Sequence, residues 1–192
     1  MPSYVWKLKA RERLESSGLV FTHISIGVFL DYLVAPRLPT CLQFAVPLWI
    51  DLENNTAALP ADGNVTTTMT HSSDIARFVA AYLFVSEWTK AVHVIGDRLP
   101  LNEVVRIAEE VKGEEFIKRF DDVECIQNSK CTVLPTMKSL LAEMFSDQAM
   151  AVMVSIAQKN AIAGVMDLDP QLSAQKLLPE SKTLKIRAAI KK

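Results

Sequence analysis

The stretch from Trp6 to Tyr32, WKLKARERLESSGLVFTHISIGVFLDY, constrains the fold more than any other part of the chain. A charged helix carrying Lys7 runs into Ser16-Ser17-Gly18, an apolar strand from Leu19 to Ile26 follows at once, and Gly27 breaks it into an aromatic loop, Phe29 to Tyr32. A helix, a glycine stop, a buried strand and a glycine loop are the grammar of an α/β sheet. Trp6, Ala10 and Leu14 recur at four-residue spacing and predict one apolar stripe on the helix, beside a basic row of Lys7 and Arg11. The strand is apolar at most positions, as expected when both of its faces are covered.

The remaining elements follow in the same α/β manner. Phe29 to Val34 is expected as a short helix stopped by Pro36 and Pro39, and PLWID, ending at Asp51, as a strand. Ala57 to Leu59 and Val65 to Thr70, joined by the tight turn Asp62-Gly63-Asn64, are expected to form a hairpin-like excursion from the main sheet. Ser72 or Ser73 caps the clearest helix, in which Ile75, Phe78, Val79 and Tyr82 keep helical spacing and Asp74 sits in the first turn. Ala91 to Ile95 reads as a short buried strand. Asn102 is placed as the cap of a helix with the stripe Val104, Ile107, Ala108 and Val111, stopped by Gly113. Phe116 to Phe120 is expected as a strand. Leu134-Pro135-Thr136 opens a helix to Phe145, and Ser146-Asp147 opens the longest helix, to about Ala163. The tail to Lys192 carries a last short helix. Strands alternating with helices predict a mainly parallel sheet in a single region, 1–192.

With 192 residues, 49% apolar and 22% charged, the chain has enough material for one sizeable core. A net charge of -1 gives no electrostatic case for nucleic acid or for an anionic membrane. The longest apolar tract, Ala149 to Met166, is interrupted by Gln158-Lys159-Asn160 and reads as a buried helix instead of a membrane span. Cys41, Cys125 and Cys131 form no CxxC pair, and His23, His71 and His93 are scattered, so free thiols and no metal site are expected. The charged opening lacks a secretory h-region, so a cytoplasmic location is expected. The six glycines are too dispersed to make the GxGxxG loop that grips a dinucleotide pyrophosphate.

Lys7, Arg11 one turn on, Gly18, the strand Phe21-Thr22-His23 and the loop Gly27-x-Phe29-x-x-Tyr32 together resemble the NmrA-like family. This is the atypical short-chain dehydrogenase group that includes isoflavone reductases and phenylcoumaran benzylic ether reductases. In that family a Lys, an Arg, a Gly and a Tyr-Thr-Tyr strand lead to an Asn-x-Phe-x-x-Tyr loop. Leu59-Pro60-Ala61-Asp62-Gly63, Asp74-Ile75-Ala76-Arg77-Phe78-Val79, Gly96-Asp97 with Asn102-Glu103, and Leu178-Pro179-Glu180 are similar to fungal-type members. The resemblance covers nearly the whole chain but only the family's C-terminal part. It implies the C-terminal part of a Rossmann-like NAD(P)-binding fold plus a mixed α/β substrate lobe, with the N-terminal nucleotide-binding half missing. It further implies NADP or NAD as cofactor and a small, aromatic type of substrate. Lys7 then stands at the general-base or proton-donor position, Gly27 at the cofactor-side position in place of the family's Asn, and Phe29 and Tyr32 at the substrate pocket.

The residues alone keep plainer readings open: Lys7 as a solvated helix lysine, Phe29 and Tyr32 as core packing, Asp74 as a helix-start charge with Arg77 its surface partner, and the methionines 137, 144, 150 and 153 as core filling. At the level of function, a reductase stands beside a non-catalytic NmrA-type regulator that senses the dinucleotide and binds a protein partner.

Overall fold

Two glycines, Gly27 and Gly96, organise the architecture. The structure is a computed structural model that describes residues 2–35, 37–43 and 45–192, with side chains from residue 5 onward. Pro36, one of the two expected helix stops, lies outside the described residues.

Helix α1 (Pro2–Glu15) leads to β1 (His23–Ser25), β2 (Val28–Phe29) and the short α2 (Asp31–Val34). Strand β1 pairs in parallel with β6 (Ala91–His93), in register His23 to Ala91. Each strand then turns away at a glycine. After Gly27 the chain enters β2, which pairs in parallel with β5 (Thr66–Thr70); after Gly96 it enters β7 (Asp97–Pro100), which pairs with the other edge of β5 in antiparallel fashion. Strand β5 is therefore held between the two diverging chains. A Cβ on Gly27 would lie 2.3 Å from the Thr68 carbonyl oxygen, and one on Gly96 would lie 2.2 Å from that of Met69. Only glycine lets the backbones come this close, and Gly27 also has φ +66°, a region that side chains disfavour. The Thr70 hydroxyl closes the junction by donating to the Val94 carbonyl and accepting from the Gly96 N–H.

The expected hairpin does not form. Strand β4 (Thr56–Pro60) pairs with β3 (Ile50–Asp51) and with β8 (Ile117–Asp121), and β5 belongs to a different sheet. Both edges of β4 are occupied, one by the antiparallel β3 and the other by five residues of the parallel β8, so the tight turn at Asp62-Gly63 carries the chain between sheets. The described strands fall into three small sheets, mixed in direction, where one mainly parallel sheet was expected. The expected strand Leu19–Ile26 shortens to three half-buried residues, with Leu19 and Val20 exposed before it, because no strand among the described residues covers the free edge of β1.

Helix α3 (Ser72–Tyr82) is capped by His71, not by a serine; the ring Nδ1 accepts from the Ser73 N–H. Helix α4 (Leu101–Lys112) starts two residues earlier than expected, with Pro100 at the cap position assigned to Asn102. Asn102 uses its side chain to hold the Asp62-Gly63-Asn64 turn, donating to the Asp62 carbonyl and to Asn64 Oδ1. Gly113, at φ +68°, ends the helix as expected. A short α5 (Val123–Gln127), absent from the sequence reading, precedes α6 (Pro135–Leu141) and the long α7 (Asp147–Ile162), capped by Ser146. The tail ends in α8 (Ile186–Ile190).

The main core joins β2, β4, β5, α4 and α8 through Leu30, Leu59, Leu101, Val104 and Ile186, each almost wholly buried. A second cluster packs α5, α6 and α7 through Ile126, Met137 and Met150, and a third packs α3 on β6 through Phe78, Tyr82 and Val92. Met144, expected as core filling, is exposed.

Candidate functional site

Helix α1 stands apart from these cores. Trp6 and Leu14, two of the three residues of its expected apolar stripe, are 68% and 37% exposed. One part of it still faces a cleft. Lys7, Leu8 and Arg11 line an open space of about 600 Å³ together with His23, Ile24, Ser25, Ile26 and Gly27, and with Ile156, Asn160, Val165, Met166 and Leu168 from α7 and the segment after it. The segment after α7 is tied to β5: the Thr68 N–H donates to the Met166 carbonyl, and the Leu168 N–H donates to the Thr68 hydroxyl.

The charged side chains lining the cleft are of one sign. Arg11 bonds Glu15 one turn on, at 2.8 Å, and that hydrogen bond above all holds the Glu15 carboxyl below its usual value. Lys7 makes no hydrogen bond or ion pair with the described residues. The His23 ring packs edge-on against Phe21 at 5.0 Å, and its Nε2 is buried without a hydrogen-bond partner among the described residues. Gly27 offers the cleft only backbone, since its Cβ direction is filled by Thr68.

Phe29 and Tyr32 lie elsewhere. They meet edge to face at 6.2 Å and line a separate cavity of about 20 Å³ with Val28, Leu33, Leu48, Trp49, Ile50 and Met69, room for roughly one water molecule. Burial, and then the charge of Asp31, push the Tyr32 hydroxyl pKa up. Asp31 is fully buried and accepts from the Thr40 hydroxyl at 2.6 Å and from the Ser72 N–H and hydroxyl at 2.9 and 2.6 Å. Burial pushes its pKa up, but these hydrogen bonds outweigh it and the carboxyl ends below its ordinary value. The fold thus brings Lys7 and Gly27 to one cleft and places Phe29 and Tyr32 around a separate small cavity.

Asp74 does more than start a helix. It is buried, Arg77 bonds it, and it accepts the Leu184 N–H at 2.6 Å; Asp97 accepts the Ile186 N–H at 2.6 Å in the same way. Two carboxylates thereby fasten the C-terminal tail. His23, Ile156, Asn160 and Met166 were missed as site residues. Their only common signal is convergence in space, since more than a hundred positions of sequence separate β1 from α7.

The residues present do not fit the pyrophosphate end of a dinucleotide. Gly27 and Gly96 touch the chain's own backbone, and Gly18, Gly113 and Gly164 are open positions with left-handed φ and nothing nearby to cradle. Among the described residues no three His, Cys, Asp or Glu side chains converge on a point, and no helix is long and apolar enough to cross a membrane.

No family model matches the chain. It is 29% identical over 191 residues to the oxidoreductase swnN of Metarhizium robertsii, covering 94% of this chain and 54% of that protein. Among solved structures, an isoflavone reductase superposes with a TM-score of 0.67 at 19% identity, over 96% of this chain and 56% of that one. The relatives are NmrA-like, isoflavone reductase-like proteins. A further isoflavone reductase-like structure, AtPrR2 bound to NADP+ and (+)-pinoresinol, superposes with a TM-score of 0.65 at 19% identity, over 96% of this chain and 55% of that one. The mixed α/β fold is that of Rossmann-like reductases over somewhat more than half of their length. The chain spans about half the length of the curated relatives it matches.

Proposed function

We propose that this chain carries the substrate-side part of an NAD(P)-dependent reductase of small, apolar or aromatic molecules, with the dinucleotide's pyrophosphate held by residues outside it. The observation that carries this reading is Lys7. It is a cation without a partner among the described residues, set over a cleft that also contains the Gly27 turn. An unpaired ammonium is ready to donate a hydrogen bond or a proton to a substrate oxygen, or to act as general base once neutral. The apolar walls, Ile24, Ile26, Ile156, Val165, Met166 and Leu168, suit a hydrophobic substrate body. Phe29 and Tyr32, half-buried around a separate cavity with room for about one water, would meet a substrate only through a rearrangement that opens that cavity to the cleft. Similarity to swnN, an oxidoreductase, and to a structure that holds NADP+ with pinoresinol supports the reaction class and the cofactor.

The test is direct. With the residues that hold the pyrophosphate joined to this chain, NADPH should raise the melting temperature, and Lys7→Ala should cut NADPH-dependent turnover by about 10²-fold or more. Unchanged turnover in that variant sinks the catalytic assignment.

One observation favours a second reading. Trp6, Leu19 and Val20, 68%, 65% and 81% exposed, form apolar surface around α1 of a kind that protein partners cover. A non-catalytic regulator using this surface would bind a partner protein with unchanged affinity after Lys7→Ala and weakly after Trp6→Ala.

A further inference from the structure

Of the buried side-chain nitrogens and oxygens without a partner among the described residues, His23 Nε2 is the nitrogen that belongs to a residue lining the Lys7 cleft; those of His71 and Trp49 belong elsewhere. A buried polar nitrogen left unpaired is a standing cost that a ligand atom can relieve. The same lining holds Lys7 and Arg11 and no carboxylate, while Glu15, outside the lining, interacts with both Arg11 and His23. Other basic residues are differently placed: Arg98 meets Asp167, Lys118 meets Glu109, Lys138 meets Asp147 and Lys185 meets Asp97. The rest of the lining is predominantly aliphatic, and the volume is that of a pocket for a small organic molecule. A concave site with charges of one sign and apolar walls concentrates the opposite charge.

We propose that this cleft takes an amphipathic anion: an apolar, ring-sized body with a carboxylate or phosphate head, the head held by Lys7 and Arg11 with the His23 imidazole as its third polar contact. The proposal rests on reading the cleft as the site, and it adds the charge of the ligand. Arg11 serves by exchanging part of its bond to Glu15, which lies outside the lining, for the incoming anion. His23 supplies Nε2 as donor in the tautomer protonated there.

The probes are trans-cinnamate and its uncharged analogue cinnamyl alcohol, titrated calorimetrically at low salt into the full chain. Cinnamate should bind about tenfold or more tightly than the alcohol, and should lose most of that advantage as salt rises. Lys7→Gln, on an exposed helix where folding is not at stake, should weaken cinnamate about fivefold or more and leave the alcohol unchanged. His23→Gln should do the same, with the His23 ring signals of the parent chain shifting on titration. Inorganic phosphate distinguishes the two sources of the head: competition by phosphate assigns it to a phosphorylated ligand, and competition by benzoate alone assigns it to a carboxylate substrate. Equal affinity for acid and alcohol, or cinnamate binding indifferent to Lys7→Gln, overturns the proposal. Cinnamate preference together with reductase turnover indifferent to Lys7→Ala, measured with the pyrophosphate-holding residues joined to this chain, leaves it standing and sinks the reductase reading. Lys7-dependent reductase activity with equal affinity for acid and alcohol does the reverse.

Discussion

Helices α1 and α4 are similar in length and rich in charge, yet they are stabilised in opposite ways. In α4, Leu101, Val104, Val105 and Ala108 are wholly buried and Arg106 ties Glu103 and Glu110 together on the outer face. In α1 the apolar residues Val5, Trp6, Leu8 and Leu14 are all exposed, and its internal ion pair is Arg11 with Glu15. A helix of this length is marginal in water by itself, and most helix stability in proteins comes from packing an apolar face. The difference teaches that an apolar stripe in a sequence is a demand for a partner, not evidence that the partner is there. Helix α4 meets its partners in β4, β7 and α8.

The largest expected contrast lies in paired truncations. Leu101→Ala should cost about 2–5 kcal/mol in urea denaturation, while Leu8→Ala, at 42% exposure, should stay within about 0.5 kcal/mol. A comparable loss from both would mean that α1 is packed in solution.

Glycines give the next contrast. Gly27→Ala combines a left-handed φ with a collision against Thr68 and should cost about 2–4 kcal/mol. Gly18→Ala, at φ +73° with nothing within 4 Å, should cost only about 1 kcal/mol from backbone strain. Equal losses would show that β5 yields easily at Gly27.

A third contrast is in acid. The Asp31 carboxyl is held below 3.8 in the folded chain, so its contribution is present above that pH and is lost as the pH falls through its lowered folded value. At neutral pH Asp31→Asn should cost about 1–3 kcal/mol, and the gap to the parent should narrow below pH 3.8 in pH-dependent chemical denaturation. His71 Nε2 stands 3.9 Å from the same carboxylate. The smallest effect is expected at Glu15, whose bond to Arg11 is exposed on α1: Glu15→Gln should leave global stability unchanged while lowering the helicity of α1 in amide exchange.

Helices α3, α4 and α7 were legible because each carries a cap or stop and a stripe that the core uses. The sheets were not. Ala57–Leu59 and Val65–Thr70 satisfy every local rule for a hairpin, but β8, some fifty positions downstream, claims the edge that a hairpin would need. The Ser72 or Ser73 cap failed for a smaller reason: the His71 ring reaches the same backbone N–H and Asp31 takes the Ser72 hydroxyl. At the site, residue spacing placed Lys7 and Gly27 on neighbouring elements and could not reveal that β5 lies against Gly27. Met69 of β5 lines the separate cavity that holds Phe29 and Tyr32, and no β5 residue lines the cleft. The far lining of the cleft, from α7 onward, left no trace in the local pattern around Lys7.

The seating of β5 between the chains that leave Gly27 and Gly96 has a consequence for the order of assembly. Strand β5 lies in sequence inside the loop that the pairing of β1 with β6 closes, and each of its own neighbours comes from one end of that loop. Closing the loop is entropically slow. If β1 and β6 met first, the slot between β2 and β7 would narrow before β5 arrived, whereas docking β5 on β2 first leaves β6 and β7 to zip down together. The junction is therefore the place to look for a late folding step, and a chain joined end to end and reopened between β5 and β6 should fold along a different route to the same structure.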